Sequence, residues 1–568
     1  MKLPGYKEIW AVDFEFHCAD GDLPTPICMV AKDLLSGRVM RLDEEGLRHR
    51  REAPFDIGND ALFLAYYASA EFGCFLQLGW PLPVNVIDLY VEFMNHTNGL
   101  PLPHGRGLLG ALVWFGLPLG DVTEKVEMRD LAKRGGPFSA AEMSALLEYC
   151  QHDVEALGAL WTVLEPHLTK HALLRGRYMK AVAWMEYVGI PIDTNTLAAL
   201  MSRWDALKGH LIDQIDPAGE IWSGGSFSEA QFREWLAHQG ICWPRLDTGR
   251  LKLDKETFSD MAKIFPAVQP VEQLRTTLSK MKLKDLAVGP DGRNRTLLSP
   301  FGSRSGRNQP STSRFIFGNA RWLRSLIQPQ PGTSLAYIDW AQQEFGIGAV
   351  LSGDRAMVEA YRSSDPYLAF AKRAGAVPPD ATKSSHPNER STFKMVVLGV
   401  GYCMSAPGLA AKLGCSVVEA EELLQIHRQC YPNFWRWSQG AADYGFMNGM
   451  IHSRFGLQLH VTADTKDRTL RNFPSQANGA EMMRLAAIYA TEAGIRVCAP
   501  VHDAFLIEAA TEDLDHEVYR MQECMARASA DVLDGFRLDT DADLIRHPDR
   551  FGGNSENIMW DMAMKFLN

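Results

Sequence analysis

The stretch SLAYIDWAQQEF at residues 334–345 decides the fold prediction, because it joins a short apolar run to an acid. Its first five residues have the composition of a buried strand, and Asp339 follows them directly. A second apolar run, at residues 497–501, leads to Asp503 and then to further apolar residues, which predicts a hairpin with its acid at the turn. Neighbouring strands of one sheet would bring the two acids together. Two facing carboxylates predict a pair of Mg²⁺ ions.

A basic helix is predicted between these strands, over residues 390–404. Arg390, Lys394, Leu398 and Tyr402 recur every four residues, so they share one broad stripe of the helix surface. A guanidinium and an ammonium group suit a triphosphate, and an aromatic ring suits a base or a sugar. A solvated basic face with a core tyrosine would explain the same spacing. The other sides of this helix are apolar, however, which favours a cleft.

The N-terminal third holds a second set of acids. An apolar run at residues 9–12 leads to Asp13 and Glu15, which share one face of the predicted strand. Tyr149 and Asp153 share one face of a predicted helix. Taken singly, each pattern fits a solvated strand edge or helix face. Three or four carboxylates meeting at the strand end would hold two Mg²⁺ or Mn²⁺ ions about 4 Å apart, which suits phosphodiester hydrolysis.

Composition sets the wider limits. The chain has 568 residues, 46% of them hydrophobic, and a formal net charge of −11, which fits two to four domains of roughly 100–200 residues each. No apolar run reaches the length of about 18 residues that a membrane span needs. The ten cysteines include no C-x-x-C pair, which argues against a disulfide framework or a zinc ribbon and favours a reducing, intracellular setting. DNA binding would require Lys and Arg to gather in a cleft despite the acidic total.

In this order, the three C-terminal segments resemble motifs A, B and C of the family A DNA polymerases, the DNA polymerase I type. Motif A is resembled at residues 339–345, where the family typically reads D-Y-S-Q-I-E-L. Motif B is resembled by R-x-x-x-K-x-x-x-L-G-x-x-Y from Arg390, and motif C by residues 501–503. The opening of the polymerase domain, the primer-contact segment and the segment that meets the minor groove are resembled at residues 185–193, 305–307 and 468–476.

The resemblance implies a role for each of these residues. Asp339 and Asp503 would carry two Mg²⁺ ions, with Mn²⁺ as an alternative, and Glu344 would exclude a ribose 2′-hydroxyl. The incoming dNTP would meet two cations that hold its triphosphate and a tyrosine that stacks near the nascent pair, within the set Arg390, Lys394, Leu398, Tyr402 and His502. The phosphates and minor-groove acceptors of the primer–template would contact Arg307, Arg468, Asn472 and Gln476.

The N-terminal acids resemble the proofreading 3′-to-5′ exonuclease domain of the DEDD superfamily, tyrosine subtype. The metal ligands that this resemblance implies are Asp13, Glu15 and Asp153. Tyr149 would orient the attacking water. Glu71 stands where the family usually has an aspartate and would act through water, while Asp88 competes for the same role.

The predicted fold is therefore mixed α/β (α+β), with a ribonuclease H-like exonuclease domain followed by a right-hand polymerase domain. We expect the exonuclease domain at residues 1–175 and the polymerase domain at 176–568. Within the polymerase domain we expect the thumb at about 176–310, the fingers at about 366–450, and the palm at about 311–365 and 451–568. No five-prime nuclease domain is expected ahead of residue 13. The expected protein is a monomer that binds primer–template DNA and dNTPs, without a membrane, in the cytoplasm of a bacterium or of a phage-infected cell.

Several positions depart from the family pattern. Leu398 stands where Phe or Tyr is usual, Ala504 replaces a common Glu, and Cys403 stands where Gly is usual. The overall look resembles replicative polymerases of bacterial viruses, including the group that copies genomes containing 2-aminoadenine. Three alternatives remain: an exonuclease with an inactive polymerase-like DNA clamp, an inert binding module, and a single-subunit RNA polymerase, which Glu344 disfavours.

Overall fold

The computed structural model describes residues 5–118, 122–246, 248–281, 283–363, 365–552 and 558–567. Two larger sheets and many helices follow one another along the chain, so the mixed α/β class predicted from the sequence is confirmed. No helix within the described ranges is both long and apolar enough to cross a membrane. All ten cysteines are free thiols.

The N-terminal part is built on a five-stranded sheet. Its strands are β1 (Glu8–His17), β2 (Thr25–Asp33), β3 (Val39–Leu42), β4 (Ala61–Ala65) and β5 (Asn85–Asp88). Its helices are α1 (Glu44–Arg48), α2 (Ser69–Leu78), α3 (Leu89–Thr97), α4 (Leu108–Trp114), α5 (Val122–Arg134) and α6 (Ala140–Leu164). The order across the sheet is β3-β2-β1-β4-β5, and β1 is antiparallel to β2 and parallel to β4.

The central strand β1 is longer than the apolar run that predicts it. Asp13 and Glu15 therefore lie within the strand and not at its end. The strand continues because Phe14, between the two acids, is buried on the opposite face, which preserves the alternation of a half-buried strand.

The central part of the chain is mostly helical. Its elements are α7 (His171–Val188), β6 (Ile190–Pro191), α8 (Thr194–Ser202), α9 (Trp204–Ile215), β7 (Trp222–Ser223), β8 (Ser226–Phe227), α10 (Glu229–His238), α11 (Lys255–Ile264), α12 (Val268–Lys280) and β9 (Arg293–Asn294). β9 pairs with β6. The guanidinium of Arg293 donates to the carbonyl oxygens of Val188 and Gly189, directly before β6, at 2.5 and 3.0 Å, and forms a buried ion pair with Glu508 at 2.9 Å.

The C-terminal part is built on a four-stranded antiparallel sheet in the order β13-β14-β10-β15. Its strands are β10 (Thr333–Trp340), β13 (Val497–Val501), β14 (Ala504–Ala510) and β15 (Thr540–Arg546), and β11 (Met450–His452) and β12 (Gln458–His460) form a separate hairpin. Its helices are α13 (Gln343–Ser352), α14 (Arg355–Arg362), α15 (Pro366–Arg373), α16 (Pro387–Gly401), α17 (Ala406–Leu413), α18 (Val417–Cys430), α19 (Pro432–Asn448), α20 (Asp467–Glu492), α21 (Leu514–Val532) and α22 (Ile558–Leu567). The predicted hairpin with Asp503 at its turn is β13–β14.

The predicted basic helix is α16, and it ends earlier than residue 404. Tyr402 is its C-cap residue, and Cys403 adopts a φ of 51°, which lies in the left-handed region and stops the helix.

The hairpin β11–β12 joins the C-terminal part to the N-terminal part. Asn98, which follows α3, donates from its side-chain Nδ2 to the carbonyl oxygens of Arg304 and Gln458 at 2.8 and 2.7 Å. Nearby, Arg175 of α7 forms a buried two-bond ion pair with Glu92 of α3, with both N–O distances at 2.7 Å. These contacts join α3 to the β11–β12 hairpin, to the segment at Arg304 and to α7.

Candidate active sites

Asp339 and Asp503 lie together at one end of the C-terminal sheet. Asp339 is the penultimate residue of β10 and pairs with Ala504 of β14. The backbone N–H of Trp340 donates to the carbonyl oxygen of Asp503 at 3.2 Å. Both acids line one cleft of about 490 Å³. Two acids that are remote in the sequence therefore meet because β10 and the β13–β14 hairpin are neighbours in the sheet.

A third acid, Asp541, lies on the other side of Asp339. It sits directly opposite Asp339 on β15, and residues directly opposite in an antiparallel pair point to the same face. Burial, followed by the charges of Asp503 and Asp541, raises the pKa of Asp339 to about 6. Burial also raises the pKa of Asp503. The sequence analysis missed Asp541, although the alternating acids in DTDAD at residues 539–543 were a usable signal.

All six predicted nucleotide-binding residues line the same cleft. Helix α16 contributes one wall, and the segment after β10 contributes another. The predicted residues among its lining are Arg307, Asp339, Glu344, Arg390, Lys394, Leu398, Tyr402, His502 and Asp503. The structure thus gathers the acids, the basic stripe and the predicted sugar-excluding residue around one space.

The two cations of α16 share a neighbour that the sequence analysis did not identify. The guanidinium of Arg390 and the ammonium of Lys394 lie 5.6 and 5.7 Å from the ring centroid of Tyr367. The Nε of Arg390 also donates to Asp365 at 2.5 Å. Asp365 therefore takes one of the N–H groups of the Arg390 guanidinium.

Glu344 is held by two neighbours across the cleft. Arg307 forms an ion pair with it at 2.9 Å. Tyr402 lies close enough that the Glu344 carboxylate, after burial, raises the pKa of the tyrosine hydroxyl. Arg307 is thus placed beside Glu344 as well as beside the predicted path of the primer.

The remaining predicted DNA contacts lie on the first turns of α20. Arg468, Asn472 and Gln476 are four residues apart, so they share one face of this helix. Arg468 is exposed, whereas the other two are half-buried. The Sγ of Cys403 donates to Oδ1 of Asn472 at 3.0 Å. This bond links Cys403, which follows the C-cap residue of α16, to the face of α20 that is predicted to meet the minor groove.

A second group of acids surrounds Tyr149 in the N-terminal part. Helix α6 is tied to β1 by a bond from Cys150 Sγ to the carbonyl oxygen of Asp13 at 3.1 Å. Burial, followed by the charges of Asp153, Glu15 and Asp13, raises the pKa of Tyr149. Tyr149 therefore lies close enough to all three predicted metal ligands for their charges to act on its hydroxyl.

The structure separates the two candidates for the middle acid of this group. Asp88 accepts backbone N–H bonds from Tyr67, Ala68, Tyr90 and Val91 at 3.0, 2.8, 2.9 and 3.3 Å, so it caps α3 and anchors the preceding loop. Glu71 is buried in α2, and its pKa is raised well above the usual value by burial and then by the charge of Asp13. Glu71 therefore faces the acid group, while the carboxylate of Asp88 is committed to the backbone.

The donor chemistry of both groups fits a hard divalent cation. Carboxylate oxygens are the ligands that Mg²⁺ prefers, and the raised pKa values show that the acids repel one another. Within the described residues, no group of three or more His, Cys, Asp or Glu side chains stands close enough together to hold a metal ion.

The sheet-edge acids and the basic helix that faces them lie within the part of the chain that matches known proteins. Residues 309–541 match the family model described as DNA polymerase family A. The chain is 25% identical over 381 residues to DNA polymerase I of Chloroflexus aurantiacus, covering 61% of this chain and 40% of that protein. It is 27% identical over 349 residues to the DNA polymerase of Mycobacterium phage D29, covering 58% and 55%.

A solved structure shares the fold over nearly the whole chain. It is the POL domain of Pol1 from M. smegmatis in complex with DNA primer-template and dNTP, with a TM-score of 0.71 and 20% identity, covering 94% of this chain and 95% of that one. At the level of sequence, by contrast, the match covers 40% of the Chloroflexus protein and 36% of the thermostable DNA polymerase I of Thermus aquaticus.

Proposed function

We propose that the chain synthesises DNA from dNTPs on a primed template and trims DNA 3′ ends at a second, N-terminal site. The observation that carries the synthetic part is the meeting of Asp339 and Asp503 in one cleft with Arg390 and Lys394. The family match and the shared fold support it. We also propose that residues 1–175 form the exonuclease domain. Within the polymerase domain at 176–568, the thumb would be at about 176–310, the fingers at about 366–450, and the palm at about 311–365 and 451–568.

Asp339 and Asp503 would hold the divalent ions of the synthetic site. Bound there, two such ions lower the pKa of a primer hydroxyl and neutralise a pyrophosphate leaving group. Asp541 supplies a further negative charge next to Asp339. Ala504 cannot supply the carboxylate that is common at its position, and Asp541 adds a negative charge beside Asp339 from β15.

Arg390 and Lys394 would hold the triphosphate of the incoming nucleotide. In the structure the Nε of Arg390 donates to Asp365, so a triphosphate that binds this Nε has to displace the carboxylate. A phosphate group offers several acceptor oxygens to one guanidinium and can form two bonds at once. The exchange replaces one charge-assisted bond with at least one other, and it leaves Arg390 in the cleft throughout.

Substituting Glu344 tests the proposed exclusion of ribose. We expect Glu344→Ala to reduce the preference for dNTPs over NTPs about a hundredfold, because a vacated volume next to the sugar no longer excludes a hydroxyl. Single-nucleotide incorporation with each dNTP and its NTP measures the ratio.

Glu344→Gln is the matched control, since it keeps the size of the side chain and removes its charge. It should retain most of the preference. An equal loss in both variants would mean that charge, including the Arg307 pair, and not volume carries the selection. Wild-type preference for NTPs would instead favour the single-subunit RNA polymerase alternative.

Glu71 and Asp88 can be distinguished by comparing trimming with stability. Glu71→Gln is expected to slow trimming about 10- to 100-fold, the usual effect of altering a residue that supports metal ligands, while leaving thermal unfolding nearly unchanged. Asp88→Ala is expected to lower the free energy of unfolding by about 1–3 kcal/mol, because it leaves buried N–H groups without an acceptor.

Folded Asp88→Ala protein should still trim a single-stranded 5′-labelled oligonucleotide in Mg²⁺ at near wild-type rate. If Asp88→Ala loses trimming while fully folded and Glu71→Gln keeps it, the assignment of Glu71 is wrong.

Extension of a 5′-labelled primer–template in Mg²⁺ with all four dNTPs tests the function as a whole. Products longer than the primer support synthesis, and shorter products in the absence of dNTPs support trimming. Trimming without extension by a folded protein that binds the duplex would favour the exonuclease with an inactive DNA clamp. Duplex binding without either reaction would favour the inert binding module.

A further inference from the structure

The residue after Tyr402 combines an unfavourable backbone conformation with a specific side-chain contact. Cys403 has a φ of 51°, in the left-handed region where glycine is usual. Its backbone N–H donates to the carbonyl oxygen of Val400 at 2.9 Å, and the N–H of Met404 donates to that of Gly399 at 2.8 Å. These bonds would form equally well with glycine at position 403. The Cys403 side chain is therefore not required to end the helix.

The side chain of Cys403 instead forms a hydrogen bond to α20. The Sγ of Cys403 lies 3.0 Å from Oδ1 of Asn472 and donates to it. Burial raises the pKa of the thiol to about 11, so the proton that makes this bond is present at neutral pH. A thiol is a weak hydrogen-bond donor, but Cys403 lies at the end of α16, next to the first turns of α20.

The bond determines how the amide of Asn472 is presented. An asparagine side chain has one oxygen that accepts and one NH₂ group that donates, and a half-turn exchanges their positions. With Oδ1 turned to Cys403, Nδ2 is turned away from it, and no residue in the described part of the chain accepts a bond from Nδ2. Every Watson–Crick pair presents acceptors in the minor groove, so a donor, and not an acceptor, can contact all four pairs.

We infer that Cys403 is a positioning residue, whose thiol holds the Asn472 amide with its NH₂ group towards the minor groove of the primer–template. The inference rests on the proposed function, because it requires a DNA duplex along α20. It assigns a role to a side chain found where the related family has glycine. A mismatched pair displaces the minor-groove acceptors, so a fixed donor binds a matched duplex more tightly than a mismatched one.

Fluorescence anisotropy with labelled primer–template, matched or mismatched at the terminal pair, tests the inference without any reaction. Cys403→Ala is expected to weaken binding of the matched duplex about three- to tenfold, the effect of one lost hydrogen bond, and to leave the mismatched duplex nearly unaffected. Cys403→Ser keeps a donor and should bind both duplexes within about twofold of wild type. Cys403→Gly removes the thiol and relieves the backbone, so it should fold well and still behave like the alanine variant.

A double-mutant cycle separates this role from a structural one. If Cys403 acts through Asn472, then Cys403→Ala adds nothing to Asn472→Ala, and Asn472→Asp, which cannot donate, is as weak as Asn472→Ala. Cys524→Ala, at a half-buried cysteine of α21, should match wild type.

Additive losses in the cycle, or a Cys403→Gly variant that binds like wild type, would overturn the inference. Failure of the wild-type chain to bind the duplex at all would instead overturn the proposed function.

Discussion

Asp503→Ala is expected to reduce primer extension about a thousandfold or more, since removing a carboxylate that faces the reacting phosphate costs several kcal/mol of transition-state stabilisation. Alanine is preferred to asparagine here because an amide oxygen can still bind a metal ion. Asp503 lines the cleft and is not among the acids whose charges act on Tyr149, so the variant should trim 3′ ends at the wild-type rate. A gel-based extension assay and a trimming assay on the same preparation measure both rates.

Stability measurements test whether Asp503→Ala loses primer extension only because it is misfolded. Asp503 and Asp339 repel each other, so removing one charge should not lower the unfolding temperature in metal-free buffer. Asp515→Asn is a suitable control, because Asp515 is an exposed acid whose ion pair with Arg546 at 2.9 Å contributes little. Full extension by Asp503→Ala would eliminate the proposed synthetic site.

Asp13→Ala is expected to produce the opposite separation. Trimming should fall about a thousandfold or more, because a buried strand then presents one carboxylate fewer to the cations that trimming needs. Extension with all four dNTPs should remain near the wild-type rate, and net primer extension at low dNTP should increase because degradation no longer competes. Rates of trimming on single-stranded DNA and of extension on a primed template measure the two effects.

The two variants also test each other. If either single variant, folded and able to bind DNA, lost both activities, the proposal of two separate sites would be contradicted. Asp22→Asn changes an acid near Asp13 in the sequence but outside the proposed acid group, and should affect neither activity.

Local patterns in the sequence predicted the elements well. The apolar runs that end at Asp339 and Asp503, and the four-residue spacing of Arg390 and Lys394, depend on neighbours within one strand or helix. Such patterns carry their own structural information because the periods of 2 and about 3.6 residues are properties of the backbone. The resemblance to a polymerase family then connected the segments and anticipated the cleft.

Contacts between remote segments were not predictable in the same way. The register between β10 and β15 places Asp541 opposite Asp339. Asp365, the N-cap residue of α15, binds Arg390 of α16. The choice between Glu71 and Asp88 required the backbone bonds of Asp88, which form only when a loop and a helix end meet. Each of these depends on three-dimensional pairing, for which one sequence contains no periodic signal.

The hydrogen bonds of Asn98 have a consequence for how a primer would be shared between the two reactions. One amide nitrogen joins the strand of the hairpin to the segment that carries Arg307, so any movement of α3 against this segment has to break both bonds. If the two proposed reactions occur at separate sites, a primer end has to unpair from its template to pass from one site to the other while these bonds hold. Mismatched ends unpair more easily than matched ends, so we expect them to be trimmed first.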